Sequence, residues 1–212
     1  MEFPEAAARL VRIGQRFDAR GWVLGTSGNF SVVIDHEPLR LAITRSGTHK
    51  GELGTNDILE VSREGTAVET AIGTGPGMPS AETRLHLEIV AARRAAAVLH
   101  THSIWSTLVS DRFGSRGVVA IEGYEMLKGL AGVASHEHRE WIPVLENDQD
   151  MDRLAVKVRD TLHEFPDCHA FLLRRHGLYT WGATLPEAVR HVEIVEFLME
   201  SIGRKEAAPW RS

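Results

Sequence analysis

Short apolar runs alternate with amphipathic stretches along the whole chain, and this alternation constrains the fold most strongly. Residues 96–102 and 169–174 are apolar runs of strand length, whereas residues 5–20 and 184–204 space their apolar side chains as helices do. Strands and helices that interleave in this way pack as a sheet covered by helices. The sequence therefore predicts one layered α/β domain over residues 1–212.

The expected elements can be placed along the chain from periodicity, glycines and prolines. We expect strands at residues 30–34, 39–44, 57–61, 66–70, 96–102, 118–121, 141–145, 169–174 and 178–181. We expect helices at residues 5–20, 103–112, 124–130, 150–164 and 184–204, and another that Ser80 caps.

Composition excludes several classes of protein. The chain is 43% hydrophobic and 25% charged, as in ordinary globular proteins, and its net charge of -5 with no basic run argues against nucleic-acid binding. A single cysteine, Cys168, excludes a disulfide framework and a tetrathiolate zinc site. The acidic start of the chain has no signal-peptide pattern, and no apolar run is long enough to span a membrane. We expect a cytoplasmic protein.

His100 and His102 lie at the end of a buried apolar strand. Residues i and i+2 of a strand point to one face, so two imidazoles at this spacing can converge on one ion. His176 is the third candidate, because it also follows an apolar strand and precedes a turn-forming glycine, Gly177. Three imidazoles with an open position are typical of a catalytic zinc site. The alternative is that these histidines are hydrogen-bonded core or turn residues.

A second histidine pair, His136 and His138, has no strand beside it. Its polar surroundings indicate a solvated loop or helix edge. The remaining histidines are expected at the surface or in packing, although His49 could contact substrate. These other histidines are His36, His49, His86, His163, His169 and His191.

Two glutamates compete for a proton-transfer role. Glu82 lies at the start of a predicted helix, and Glu125 follows an apolar strand. A carboxylate beside a metal-polarised ketone can remove the adjacent C–H proton. Either glutamate could instead lie on a helix surface without a catalytic role.

Polar glycine segments could bind a phosphate through backbone N–H and hydroxyl groups. They are residues 25–29, Ser46-Gly47 and Pro79-Ser80, with Arg45 and Lys50 nearby. Segments of this kind are more often simple turns, so the phosphate interpretation depends on the neighbouring cations.

Taken together, these motifs resemble the class II aldolase/adducin family. The resemblance extends from about residue 5 to about residue 205, and the motifs follow the family's order. Singly each motif is common, whereas the combination is specific. The matching segments are residues 25–29, 43–47, 79–82, 100–102 and 175–177, and further stretches at 123–129, 142–147 and 174–182 are most similar to the family's dehydratases.

The resemblance implies a three-layer α/β/α fold around a largely antiparallel sheet, and a homotetramer with sites near subunit interfaces. It also implies zinc-dependent dehydration of a small sugar phosphate, with one Zn²⁺ per subunit. The implied residues are His100, His102 and His176 as zinc ligands, Glu125 as the acid/base, Glu82 as the match to the aldolases' metal-neighbouring proton shuttle, and Asn29, Ser46, Gly47 and Ser80 in the phosphate pocket.

Two matches leave alternatives open. Glu82 and Glu125 are both present, so their division of roles is open, and residues 207–212 lack the tyrosine that the family's aldolases often carry near the C-terminus. The missing tyrosine counts against aldol cleavage. A sugar-phosphate aldolase of the fuculose or ribulose type, a decarboxylase or epimerase, and a non-catalytic adducin-like interaction module are the alternatives.

Overall fold

The computed structural model describes residues 1–68 and 77–207, and strands alternate with helices through both ranges. The strands are β1 (Asn29–His36), β2 (Leu39–Thr44), β3 (Ile58–Ser62), β4 (Ala97–Thr101), β5 (Val118–Ile121), β6 (Glu140–Leu145), β7 (Ala170–Leu173) and β8 (Gly177–Gly182). The α-helices are α1 (Phe3–Asp18), α2 (Thr83–Arg93), α3 (Ile104–Phe113), α4 (Met151–Glu164) and α5 (Leu185–Ala207).

Within the described residues the strands form one 8-stranded sheet with the order β3-β2-β1-β4-β8-β7-β6-β5. Every neighbouring pair is antiparallel except β6 and β7, which are parallel. This arrangement confirms the predicted α/β architecture with a largely antiparallel sheet.

Helices cover both faces of the sheet. Along β7, Phe171 and Leu173 pack into the core beneath α2 and α4, whereas Ala170 and Leu172 pack into the core on the opposite face, with α5. Alternate side chains of a strand point to opposite faces, so one apolar run supplies both cores. The helices α1, α3 and α5 form the layer opposite α2 and α4.

Side-chain caps fix where two of the helices begin. The hydroxyl of Ser103 accepts a hydrogen bond from the Ser106 N–H at 3.0 Å and starts α3, and the carboxylate of Asp150 accepts one from the Arg153 N–H at 3.0 Å and starts α4. Such caps satisfy N–H groups that have no partner inside the helix. Because Ser103 directly follows His102, the start of α3 also fixes the backbone beside that histidine.

Three predicted elements differ in the structure. The strand predicted at 66–70 is wrong over its described part: Ala67 forms an isolated bridge with Val61, and residues 69–70 lie outside the described residues. The helix predicted at 124–130 is a short 3-10 helix, Glu125–Gly129. The helix that Ser80 was expected to cap begins at Thr83, because the Ser80 hydroxyl and carbonyl accept from the N–H groups of Glu82 and Thr83 in a turn before the helix.

The strand register places three polar residues side by side at one edge of the sheet. Asn29 at the start of β1 pairs with His100 near the end of β4, and His100 pairs with Tyr179 near the start of β8. In an antiparallel pair one strand begins at the edge where its neighbour ends, so this edge collects side chains from three strands. Among the described residues, no helix has the length and apolar character needed to cross a membrane.

Candidate metal centre

Three imidazoles converge at this edge of the sheet. The Nε2 atoms of His100 and His102 lie 2.7 Å apart, those of His102 and His176 lie 3.1 Å apart, and those of His100 and His176 lie 3.3 Å apart. The carboxylate of Glu82 completes the group, with Oε2 3.5 Å from His100 Nε2 and Oε1 3.3 Å from His176 Nε2. Within the described residues, these four side chains each bring one possible ligand atom within 4.8 Å of the others, so they could hold a metal ion.

The spacing of the three Nε2 atoms fits ligands of one small cation. A tetrahedral zinc ion with Zn–N bonds of about 2.0–2.1 Å would place its nitrogen ligands about 3.3 Å apart. The nitrogen pairs in the structure span 2.7 to 3.3 Å. Three nitrogen lone pairs that face one another repel unless a cation lies between them. The donor set therefore fits a divalent metal such as zinc.

Hydrogen bonding and burial both keep these imidazoles in the form that binds metal. His100 Nδ1 lies 2.9 Å from the carbonyl oxygen of Leu178, so Nδ1 carries the proton and donates it, and Nε2 keeps its lone pair. Burial, followed by the charge of the neighbouring imidazoles, lowers the pKa of His100 and His102 far below its usual range. Burial also lowers the pKa of His176.

Tyr179 fixes the ring of His100 from the side of the core. The two rings are stacked, with centroids 3.9 Å apart and planes at 12°. Phe171 stacks on the other face of Tyr179 at 4.8 Å. Stacked aromatic rings of this kind restrict one another's rotation, so His100 has little freedom to turn away from the cluster.

Two glycines let the chain pass close to His100. A Cβ on Gly177 would lie 2.0 Å from the carbonyl oxygen of Thr101, so β8 could not approach β4 with any larger residue there. Gly28 has a φ of +72°, and a Cβ there would lie 2.7 Å from the carbonyl oxygen of His100. Close backbone contact therefore requires glycine at both positions, and the positive φ of Gly28 requires it there a second time.

Glu196, on α5, lies behind the cluster. It is buried and accepts hydrogen bonds from the hydroxyl groups of Thr101 and Ser103, the two residues that flank His102. Burial raises the pKa of Glu196 to about 7, against the opposing effect of those two hydroxyl groups. Its spacing of four residues from the buried Val192 puts it on the apolar face of α5, and this spacing is the signal that could have marked it as buried.

A cavity of about 260 Å³ opens beside the imidazoles. Its walls combine hydroxyl, amide and backbone N–H groups with two cations, and Met151 is the large apolar side chain among them. The predicted phosphate residues Asn29, Ser46, Gly47, Lys50 and Ser80 all line it, together with Glu82, His102 and His176. The structure thus brings the predicted phosphate segments to the predicted metal ligands.

The two cations of the cavity differ in their partners. Arg45 forms an ion pair with Asp57 at 2.9 Å, whereas the buried Lys50 donates to the carbonyl oxygens of Thr26 and Thr48 at 3.1 and 2.7 Å. A lysine ammonium has three N–H donors, so Lys50 keeps one for a ligand. Burial lowers the pKa of Lys50 to about 8.

Glu125 lies away from this cavity. It is on the 3-10 helix Glu125–Gly129, its side chain is 74% exposed, and its carboxylate pairs with Lys128 at 2.8 Å and lies 3.8 Å from His136. It is not among the cavity-lining residues of the described chain. Glu82 and Glu125 are therefore not neighbours in one subunit.

The other histidine motif remains separate from the cluster. His136 lies in a turn that the N–H of His138 closes on Ser135, and His138 pairs with the buried Glu140 at 2.8 Å, as does His169 at 3.1 Å. His49 caps a 3-10 helix by accepting from the Gly51 N–H at 3.2 Å.

Several cavity residues were missed by sequence reasoning. Asn147 Oδ1 lies 3.3 Å from His176 Nδ1, and Gln149 and Met151 continue the same wall. His86, which was expected at the surface or in packing, is fully buried behind the cavity wall and hydrogen-bonds Asn29. A motif search could have found Asn147, which lies in one of the family-like stretches, but no signal in a single sequence marks the other three.

Comparison with known proteins shows which family and which relatives this chain is similar to. The family model of the class II aldolase and adducin N-terminal domain matches residues 8–202. A protein of Methylococcus capsulatus named methylthioribulose-1-phosphate dehydratase is 45% identical over 202 residues, which cover 94% of this chain and 93% of that protein. One of the same name from Pseudomonas fluorescens is 42% identical over 198 residues, covering 92% and 91%. A solved structure of L-fuculose 1-phosphate aldolase has the same fold, with a TM-score of 0.76, 23% identity, and coverage of 97% and 89%.

Proposed function

Because the chain belongs to the class II aldolase and adducin N-terminal domain family, we propose that it is a zinc-dependent dehydratase of 5-methylthioribulose 1-phosphate. The product is 2,3-diketo-5-methylthiopentyl 1-phosphate, and the reaction releases one water. The observation that carries the proposal is the convergence of His100, His102 and His176 beside a cavity lined by Lys50 and polar glycine segments. The two relatives of this name described above share 42% and 45% of their residues with this chain over nearly its whole length.

The three imidazoles would hold the zinc ion, one per subunit. When bound there, zinc acts as a Lewis acid that polarises the substrate carbonyl group. The neutral state of the imidazoles and the Nδ1–H of His100 bonded to Leu178 support this assignment. Glu82 lies within 3.5 Å of two of the imidazole nitrogens, so its carboxylate adds negative charge to the site.

The substrate phosphate would bind in the cavity beside the metal ligands. Lys50 has one N–H donor left for a phosphate oxygen, and Ser46, Gly47 and Ser80 line the same space. A dianion bound by a cation and several N–H or O–H donors is fixed in position and orientation. This anchoring would present the carbon chain of the sugar to the metal centre.

The proton transfers require a carboxylate that takes up and returns a proton, and the candidates are Glu82 inside the cavity and Glu125 outside it. The resemblance to the family's dehydratases favours Glu125. We assign to Glu125 the removal of the proton from carbon 3 and the protonation of the hydroxyl group that leaves carbon 4, after which the enol product becomes the diketone. Because Glu125 is exposed and outside the cavity of its own subunit, it would have to reach the cavity of a neighbouring subunit. A homotetramer with sites at subunit interfaces would provide that arrangement.

The wider setting belongs to the same proposal. We propose that the protein acts in methionine salvage, in the cytoplasm, where it would recover the methylthio group for methionine biosynthesis. A methylthio tail needs an apolar contact, and Met151 supplies one large apolar side chain in the cavity wall.

Product analysis tests the proposal against aldol cleavage. The zinc-loaded protein is incubated with 5-methylthioribulose 1-phosphate, and separately with L-fuculose 1-phosphate and ribulose 5-phosphate. We expect a diketone phosphate that keeps all carbon atoms of the first substrate, and no cleavage of the others. Formation of two smaller carbonyl fragments would assign an aldolase instead. A protein that neither retains added zinc nor turns over any of the three substrates would be a non-catalytic interaction module.

A further inference from the structure

A chain of buried hydrogen bonds leads away from the metal centre through Asn29 and His86. Asn29 Nδ2 lies 2.5 Å from Glu82 Oε2, Asn29 Oδ1 lies 2.5 Å from His86 Nε2, and His86 Nδ1 lies 2.7 Å from the hydroxyl oxygen of Ser31. Asn29, Ser31 and His86 are all buried, His86 completely. The proposed reaction assigns no role to His86 or Ser31.

The direction of each hydrogen bond in this chain follows from the carboxylate at its end. A carboxylate only accepts, so Asn29 must present its N–H to Glu82, and its carbonyl oxygen must face His86. His86 Nε2 therefore carries the ring proton and donates it to Asn29. The remaining ring nitrogen, Nδ1, has a lone pair and accepts from the hydroxyl of Ser31.

The opposite orientation of the Asn29 amide is unfavourable. It would place the amide oxygen 2.5 Å from the Glu82 carboxylate oxygen, so that two acceptors would face each other in a partly buried site. It would also require a ring nitrogen of His86 to accept where the present arrangement has it donate. Burial lowers the pKa of His86 to about 4, so the ring is neutral and carries one proton to place.

We propose that His86 is a positioning residue that, through the Asn29 amide, holds the Glu82 carboxylate at the metal ligands. The Asn29 amide has two N–H groups, of which one is bound to Glu82 and the other is available to the cavity that Asn29 lines. One histidine thus sets the orientation of an amide that serves both the carboxylate and the ligand. This inference rests on the proposed function for the identity of the ligand but not for the hydrogen-bond chain.

The strand pairing also connects these hydrogen bonds to the metal centre. Asn29 pairs with His100 across β1 and β4, and the rings of His86 and Tyr179 contact each other edge to face with centroids 6.0 Å apart. His86 thus lies against the tyrosine that stacks on His100. A plain core position would be filled more favourably by an apolar side chain, because burying polar nitrogen atoms costs free energy unless they are hydrogen-bonded.

Two matched substitutions of His86 separate its hydrogen bond to Asn29 from its hydrogen bond to Ser31. In His86→Gln, the amide nitrogen of glutamine can occupy the place of Nε2 and still donate to Asn29. In His86→Asn, the shorter side chain can occupy the place of Nδ1 and bond Ser31, but it cannot reach Asn29. Loss of a partner that orients a metal-site residue typically lowers metal affinity about 10- to 100-fold.

The experiment combines the ring-proton state of the wild-type enzyme with zinc affinity of the variants. In the zinc-loaded protein with ¹⁵N-labelled histidine, we expect nuclear magnetic resonance to show His86 neutral and protonated at Nε2. In competition with a chromophoric chelator, we expect His86→Asn to bind zinc about 10- to 100-fold more weakly than wild type and His86→Gln to bind within a few-fold of it.

Two results would overturn the inference. A ring proton on Nδ1 would reverse the hydrogen-bond chain, and equal zinc affinity in wild type and His86→Asn would reduce His86 to a core residue. The first measurement uses the wild-type protein, so it decides the matter even where a variant fails to fold. Neither readout needs turnover, so an inactive protein with the expected ring proton and affinities would contradict the proposed function alone.

Discussion

The Nε2 atoms of His100 and His102 lie 2.7 Å apart, although Thr101 between them belongs to β4 and points elsewhere. The side chain of Thr101 bonds Glu196 on the opposite side of the strand from the imidazoles. A strand end provides this geometry because alternate residues share a face. The spacing in the sequence therefore carried direct information about which atoms meet.

Removal of one imidazole should deplete the bound metal. In His176→Ala two imidazoles and Glu82 remain, and we expect the zinc content of the purified protein to fall well below one per subunit. Elemental analysis measures it, with His163→Ala as the control because His163 is exposed on α4 away from the cluster. A fully loaded His176→Ala protein would show that the site lies elsewhere.

Glu125→Gln should abolish dehydration while leaving fold and zinc content unchanged, because the amide cannot accept the carbon-bound proton. We expect kcat to fall by about 100-fold or more, the contribution typical of a general acid/base. Glu122→Gln is the matched control, since Glu122 is an exposed carboxylate in the same loop that pairs with Arg139. Turnover of Glu125→Gln near the wild-type rate would remove Glu125 from the mechanism.

Lys50 should make substrate capture sensitive to alkaline pH. Its pKa is lowered to about 8 by burial, so its positive charge is present below that pH and is lost as the pH rises through it. We expect kcat/KM, which reports the free enzyme, to fall above about pH 8. In Lys50→Met we expect a KM about 10- to 100-fold higher, the loss typical of one charged hydrogen bond, and no alkaline decline from this group. An unchanged KM would place the phosphate away from Lys50.

Glu196 should make the free energy of unfolding depend on pH. Its pKa is raised from the ordinary 4.5 to about 7 in the folded protein by burial, so the folded state binds the proton more tightly. Its stabilising contribution is complete below about pH 4.5, declines as the pH rises through 7, and amounts to about 3 kcal/mol. Glu196→Gln should therefore be more stable than wild type at pH 8 and similar at pH 5. Denaturant unfolding at the two pH values checks this, and equal stability at pH 8 would contradict it.

The sequence predicted much of the fold because periodicity reports which residues are buried. The strand at 39–44 is placed as the structure has it, and the run at 118–121 likewise, since each is an apolar segment between turns. The strand predicted at 66–70 was wrong over its described part because alternation in a short polar segment does not show whether a partner strand lies beside it.

The sequence also indicated which residues meet at the candidate site, but not all of their partners. His100, His102, His176 and Glu82 come together as the spacing and the family motifs indicate. The roles of His86 and Glu196 could not be found, since they come from register and helix packing that bring distant segments together. The position of Glu125 outside the cavity could not be predicted either, because a motif match assigns a role to a residue without fixing where the fold places its side chain.

Zinc titration of the metal-free enzyme tests the central claim most directly. The protein is stripped with a chelator, Zn²⁺ is returned in substoichiometric steps, and dehydration of 5-methylthioribulose 1-phosphate is followed at each step. We predict that activity is absent at the start, rises in proportion to added zinc, and stops rising at one equivalent per subunit. Full turnover by the metal-free protein, or a rise that continues past one equivalent, would contradict a catalytic site built from His100, His102 and His176.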